Sequence, residues 1–162
     1  QVVEIDAVFL KPWARVLDAG RNLLVDREGF VLPSGYRIGE ASHLVQIIAP
    51  TYQAPEHAGH RWPGDDMAAA LLLLDTIDGQ AWYEQITAID LGEFQVRQQL
   101  VLVTDLGTRI LWGSIPGRET PMEALTHDKI QRLDWFHTYH GRVDQHHRGI
   151  IDVTDAGIVT KR

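Results

Sequence analysis

Hydrophobic and polar positions divide this chain into strands at both ends and helices between and after them. Val3, Ile5, Ala7 and Phe9 alternate with Glu4 and Asp6, a period of two that predicts a strand with one buried face. Lys11-Pro12 interrupts it, and Trp13 to Leu17 resumes as a second short strand ahead of a turn over Asp18 to Asn22. Leu24 to Leu32 then reads as a hairpin, because two apolar runs flank Asp26-Arg27-Glu28-Gly29. Asp favours the start of such a reversal and Gly the position where φ turns positive. Leu44 to Ala49 predicts an interior strand. Pro50 to Pro63 reads as a loop, since Pro55 and Pro63 forbid regular pairing.

A helix is predicted from Asp65 or Asp66, where carboxylates complement the N-terminal dipole, through Met67–Leu74 to about Thr76. Its apolar residues cover more than one face, which places it inside the core. Asp78-Gly79 breaks it, and Gln80 to Ile89 reads as a shorter helix with Trp82, Ile86 and Ile89 inward. Three strands follow, over Glu93–Gln98, Leu100–Thr104 and Thr108–Trp112, with a turn at Asp105-Leu106-Gly107. Ser114 to Pro121 is a second Pro/Gly loop. From about Thr126 a helix sets Ile130, Leu133 and Phe136 inward, with Asp128, Lys129, Gln131, Arg132 and Asp134 mostly outward. Gly149 to Val153 is a strand, Asp155-Ala156-Gly157 a turn, and Ile158-Val159 a last strand. The expected fold is one α+β domain over residues 1–162, a mostly antiparallel sheet with helices packed on one face.

Composition narrows the function more than the fold. At 162 residues the chain can bury a real core, and 44% hydrophobic with 23% charged residues is ordinary for a globular domain. A formal charge of -7 argues against nucleic acid and against docking on an anionic membrane surface. With no cysteine there is neither a disulfide framework nor a thiolate metal site. The longest apolar run, Met67 to Leu74, is far short of the roughly 20 residues that span a bilayer. The chain opens on Gln1, directly in a strand-like pattern, and reads as a fragment or processed form with upstream elements missing.

Candidate chemistry is sparse. His137 and His140 share a helix face, with Asp144, His146 and His147 downstream, and such a set has the donors for zinc or nickel. A solvated helix end, where His suits the dipole, is the simpler account. Solvent exposure explains His57 and His60, and the helix dipole explains the carboxylate pair Asp65-Asp66. Gly35-Tyr36-Arg37-Ile38-Gly39 lacks phosphate-loop spacing and the helix after it, and no nucleophile elbow occurs. The reading is therefore non-catalytic, with no cofactor. Trp82, Trp112 and Trp135 occupy apolar positions of periodic segments and are expected in the core. Trp13 and Trp62 border prolines; core or rim packing is the simpler account, and exposure as partner anchors the alternative. The terminal strand region is the better interaction candidate. An edge strand offers backbone groups to another chain, unless Lys161 and Arg162 merely blunt it.

Several short segments, taken in order, carry a resemblance. These are Lys11-Pro12-Trp13-Ala14, the Leu24–Leu32 hairpin, Ala69–Leu74 followed by Ile86–Leu91, Thr108–Gly113, Asp128–Phe136, and Ile150-Ile151-Asp152-Val153. Together they resemble the extracytoplasmic β domain of the FtsQ/DivIB family of bacterial cell-division proteins. The loops Pro50–Pro63 and Ser114–Thr126 are longer than that family usually has. Thr154 stands where members often carry arginine, and Ile158 and Val159 where some carry aromatic rings. The resemblance implies a non-catalytic divisome scaffold on the extracytoplasmic (periplasmic) face of the inner membrane. It also implies a membrane helix and a POTRA domain upstream. FtsB/FtsL-like partners would bind the C-terminal strand, through Ile150, Asp152, Thr154, Asp155, Ile158 and Val159. Two other expectations stand beside it: a metal-binding or metal-dependent enzyme domain on His137, His140 and His146, and a binding module using the Pro50–Pro63 loop.

Overall fold

The computed structural model describes residues 10–33, 41–145 and 147–156. The expected first strand around Val3 to Phe9, the segment Gly35–Gly39, His146 and the last strand at Ile158-Val159 lie outside those residues. Among the described residues the strands β1 (Ala14–Asp18), β2 (Arg21–Val25), β3 (Gln46–Ile48), β4 (Ile86–Asp90), β5 (Leu100–Thr104), β6 (Arg109–Gly113) and β7 (Ile150–Asp152) form one sheet. Its spatial order is β2-β1-β3-β4-β5-β6-β7. Helices α1 (Asp65–Ile77), α2 (Phe94–Arg97) and α3 (Thr126–His140) interrupt the strands.

The sheet is mixed rather than mostly antiparallel. The β1–β2, β4–β5 and β5–β6 pairs are antiparallel, whereas β1–β3, β3–β4 and β6–β7 are parallel. Parallel neighbours need a long crossover, commonly a helix. Here α1 links β3 to β4 and α3 links β6 to β7. The first of these crossovers is invisible when Gln80–Ile89 is read as a helix. That segment is instead a single 3-10 turn, Tyr83–Gln85, running into strand β4. β-Branched Ile86, Thr87 and Ile89 favour the extended chain, and β4 lies between two hydrogen-bonded neighbours.

One row of side chains shows why the sheet holds. Paired positions run Val16, Ile47, Ile89, Leu102, Ile110 and Ile151 across β1, β3, β4, β5, β6 and β7. All are buried, and they join one core with Met67, Leu73, Leu74 and Ile77 of α1 and Leu133 of α3. Period-two alternation puts the next row, Arg15, Gln46, Ala88, Val103, Arg109 and Ile150, on the opposite face.

The turns follow their residues. Ala19 and Gly20, both at positive φ, join β1 to β2 in the manner of a tight two-residue hairpin. In the next reversal Asp26 Oδ1 accepts the backbone N–H groups of Glu28 and Phe30, and Gly29 has φ +88°. The return arm makes one bridge, Val31 to Val25, and another from Phe30 to Arg61, so the Pro50–Pro63 loop is pinned against it.

Three further expectations are corrected. Glu93–Gln98 is not a strand: α2 is one helical turn ended by left-handed Gln98, with Phe94 buried and Val96 in solvent. An alternation of three residues is too short to distinguish a strand from a helical turn. Lys129 is buried, not outward, because Glu123 meets it inside. Trp135 is 52% exposed, whereas Trp82 and Trp112 are fully buried. Trp62 is buried, as the simpler account of it required, and its indole N–H donates to the Tyr52 carbonyl.

Candidate functional site

The C-terminal part of the sheet gathers the residues singled out above. Arg109 N–H donates to the Gly149 carbonyl at 2.8 Å and Val153 N–H to the Leu111 carbonyl at 3.3 Å. In a parallel ladder alternate residues address the neighbour. Gly149, Ile151 and Val153 therefore face β6, while Ile150 and Asp152 turn their N–H and C=O away from it. Among the described residues β7 is the last strand in the order, so these groups lie along the edge of the described sheet. The Ile150 side chain is 53% exposed.

The rest of the predicted set is committed locally. Asp152 Oδ1 accepts Thr154 N–H and its hydroxyl at 2.8 and 2.6 Å. The Thr154 carbonyl accepts Ala124 N–H, and Asp155 bridges Glu123, so the chain is covered immediately beyond β7. Ile158 and Val159 lie outside the described residues. Upstream, the His147 ring nitrogen Nε2 lies 2.8 Å from the Ile150 carbonyl oxygen. The open edge is thus short, bracketed by His147 at one end and Ala124 at the other.

Helix α3 flanks this edge. Arg132 Nη1 donates to the carbonyls of Val153, at 3.0 Å, and Asp155. Trp135, Phe136 and Tyr139 follow Arg132 at the three-, four- and seven-residue spacings that share a helix face. Their rings pack together: Trp135 is 5.3 Å from Phe136, edge to face, and 4.9 Å from Tyr139, tilted, centroid to centroid. Tyr139 is 69% exposed. Reading Trp135 as core hid this stripe. The available signal was Tyr139 four residues later, a second aromatic where a buried helix would end.

Beneath the edge sits a buried ion pair. Lys129 Nζ lies 2.6 Å from Glu123 Oε1, with the lysine side chain fully buried, and 5.2 Å from the Trp112 ring centroid. The carboxylate also accepts the N–H and hydroxyl groups of Ser114 and Thr120. Burial pushes the Glu123 carboxyl up, and the bonds from Lys129, Ser114 and Thr120 outweigh it, holding the group below its ordinary value. A carboxylate so saturated is a poor base; it ties the Ser114–Thr120 loop to α3. Ser114, Thr120, Glu123, Asp152 and Thr154 line an adjoining groove of about 400 Å³.

Of the expected metal set, the described His137, His140 and His147 each meet different partners, and His146 lies outside the described residues. His137 Nδ1 meets Gln85 Nε2 at 3.0 Å, His140 packs on the rings of Trp135 and Phe136, and His147 meets Ile150. The Asp144 carboxylate is taken by Arg142 Nε at 2.8 Å and the Thr104 hydroxyl at 2.6 Å. Arg142 in turn holds Asp105. Among the described residues no group of three or more His, Cys, Asp and Glu side chains is placed to hold a metal ion. No helix there is long and apolar enough to cross a membrane.

The described residues form a mixed α+β domain whose sheet ends on β7, with Arg132 of α3 holding the chain just beyond that strand. Neither a protein-family model nor a curated protein matches the chain.

Proposed function

We propose that this domain is a non-catalytic cell-division scaffold that binds partner division proteins by strand addition along β7. The observation that carries the reading is the outward aim of the Ile150 and Asp152 backbone on the last strand of the sheet. Such groups bond an incoming strand, and neighbouring side chains give it specificity. Trp135 and Tyr139 are of the types that dominate interface energetics. The ordered resemblance to the FtsQ/DivIB β domain supplies the partner class, FtsB/FtsL-like proteins. It also supplies the location, the extracytoplasmic face of the inner membrane, with the parent chain anchored there. Ile150 and Asp152 form the proposed contact on β7, and the resemblance adds Thr154, Asp155, Ile158 and Val159 to it.

Ile150→Pro tests this reading. It deletes an N–H that faces away from β6 and removes no bond of the sheet. The binding of an FtsB/FtsL-like extracytoplasmic segment should fall tenfold or more, with the thermal melt retained. Should the proline lower the melt, Ile150→Lys keeps the backbone and sets a charge on the edge. Undiminished binding in a folded variant overturns the reading.

A further inference from the structure

The outward carbonyl of Ile150 already has an occupant. It is the acceptor that an incoming strand would need first, and the His147 ring meets it at 2.8 Å, donating in the Nε2–H tautomer. The His147 backbone is fastened independently of that ring. Its N–H donates to the Asp144 carbonyl at 3.0 Å, and its own carbonyl accepts the Thr108 hydroxyl at 3.1 Å. Thr108 is buried and immediately precedes β6, so the loop is anchored at the start of that strand. His147 is only partly buried, and its ring contact lies at the surface. The ring can therefore rotate off the carbonyl while the loop stays in place.

We propose that the His147 side chain is a displaceable latch on the β7 edge, holding the Ile150 carbonyl until a partner strand takes it over. This rests on the strand-addition reading above. Exposed edges are templates for unwanted pairing, and proteins commonly blunt them. Here the opposite end is closed permanently by backbone, Ala124 N–H on the Thr154 carbonyl. At Ile150 the cover is a side chain, which a partner's N–H can replace one bond for one. The latch discriminates against strands that cannot complete that exchange.

His147→Ala tests it, since both backbone anchors survive the change. With no bond to break, the FtsB/FtsL-like segment should bind about two- to tenfold more tightly, the worth of one net hydrogen bond. Binding that is unchanged or weaker in His147→Ala, while Ile150→Pro still abolishes it, overturns the latch and leaves the edge reading standing. Undiminished binding in Ile150→Pro overturns the edge reading, and the latch with it. A second measurement needs no partner. In the free domain, NMR should find His147 as the Nε2–H tautomer with its ring proton slow to exchange. A tautomer-averaged, rapidly exchanging ring overturns the proposal.

Discussion

Replacing Glu123 by glutamine removes one charge from a pair whose other member has no route to water. The Lys129 side chain is fully buried, its ammonium 2.6 Å from Glu123 Oε1, with the Trp112 ring as its other charge-stabilising neighbour. An amide in place of the carboxylate keeps the shape but has one acceptor oxygen, so its NH2 must face either Lys129 and the Ser114 N–H or the Thr120 N–H, and the change removes the charge together with one set of accepted bonds. Removing one partner of a buried pair costs about 3–5 kcal/mol, because the remaining ion stays desolvated. For a domain of this length each kcal/mol is worth about 2–4 °C of melting temperature, so Glu123→Gln should melt about 6–20 °C lower. Urea denaturation should show the midpoint falling at constant m. Adding Lys129→Met should recover most of the loss, giving a large favourable coupling in the double-mutant cycle. The pH dependence carries a sign. Because the Glu123 carboxyl is held below its ordinary value, its contribution is complete above about pH 4.3 and is lost as pH falls through the lower folded value. A loss below about 1 kcal/mol, the worth of a surface pair, would refute the reasoning.

Two further changes probe the same end of the sheet. Asp144→Asn should cost about 2–4 kcal/mol, since the carboxylate takes both Arg142 and Thr104 while buried. Burial pushes that carboxyl up, but Arg142 and Thr104 hold it below its usual range. Acid titration of wild-type stability should accordingly steepen below about pH 4, and flatten in the variant. Gly113→Ala should destabilise by about 2 kcal/mol or more in the same denaturation assay. Its φ is +90°, and an added Cβ would sit 2.2 Å from Glu123 Oε1 and 2.8 Å from Thr154 Cγ2. A neutral Gly113→Ala would mean that the loop carrying Glu123 yields easily.

What could be read from the sequence was whatever depends on near neighbours. Asp26 and Gly29 make their turn through bonds spanning a few residues, and the apolar density of Met67–Leu74 makes a buried helix in any compact setting. Ile151 and Val153 alternate with Ile150 and Asp152 inside five residues, which is enough to mark the terminal strand and its buried side. Gln80–Ile89 fits either period, as a short apolar segment does. Its extended form is decided by β3 and β5 on either side.

The candidate site divides in the same way. That Ile150 to Asp152 form a strand is local information; that they form an edge is not, because edge position is the absence of a neighbour in space. Lys129 and Trp135 lie on one helix, one inside and one in solvent, against the expectation from their polarity. Glu123, six residues before Lys129, supplies the charge that makes a buried ammonium tolerable. His147 likewise read as a loop histidine or a metal ligand until the chain path set it against the Ile150 carbonyl. Periodicity and short-range bonding make the Asp26–Gly29 reversal, most of the buried rows and the apolar helix α1 legible in the residues alone. The parallel pairings, the buried ion pair and the covered edge emerge from packing, since each depends on groups that the sheet and helices bring together from distant parts of the chain.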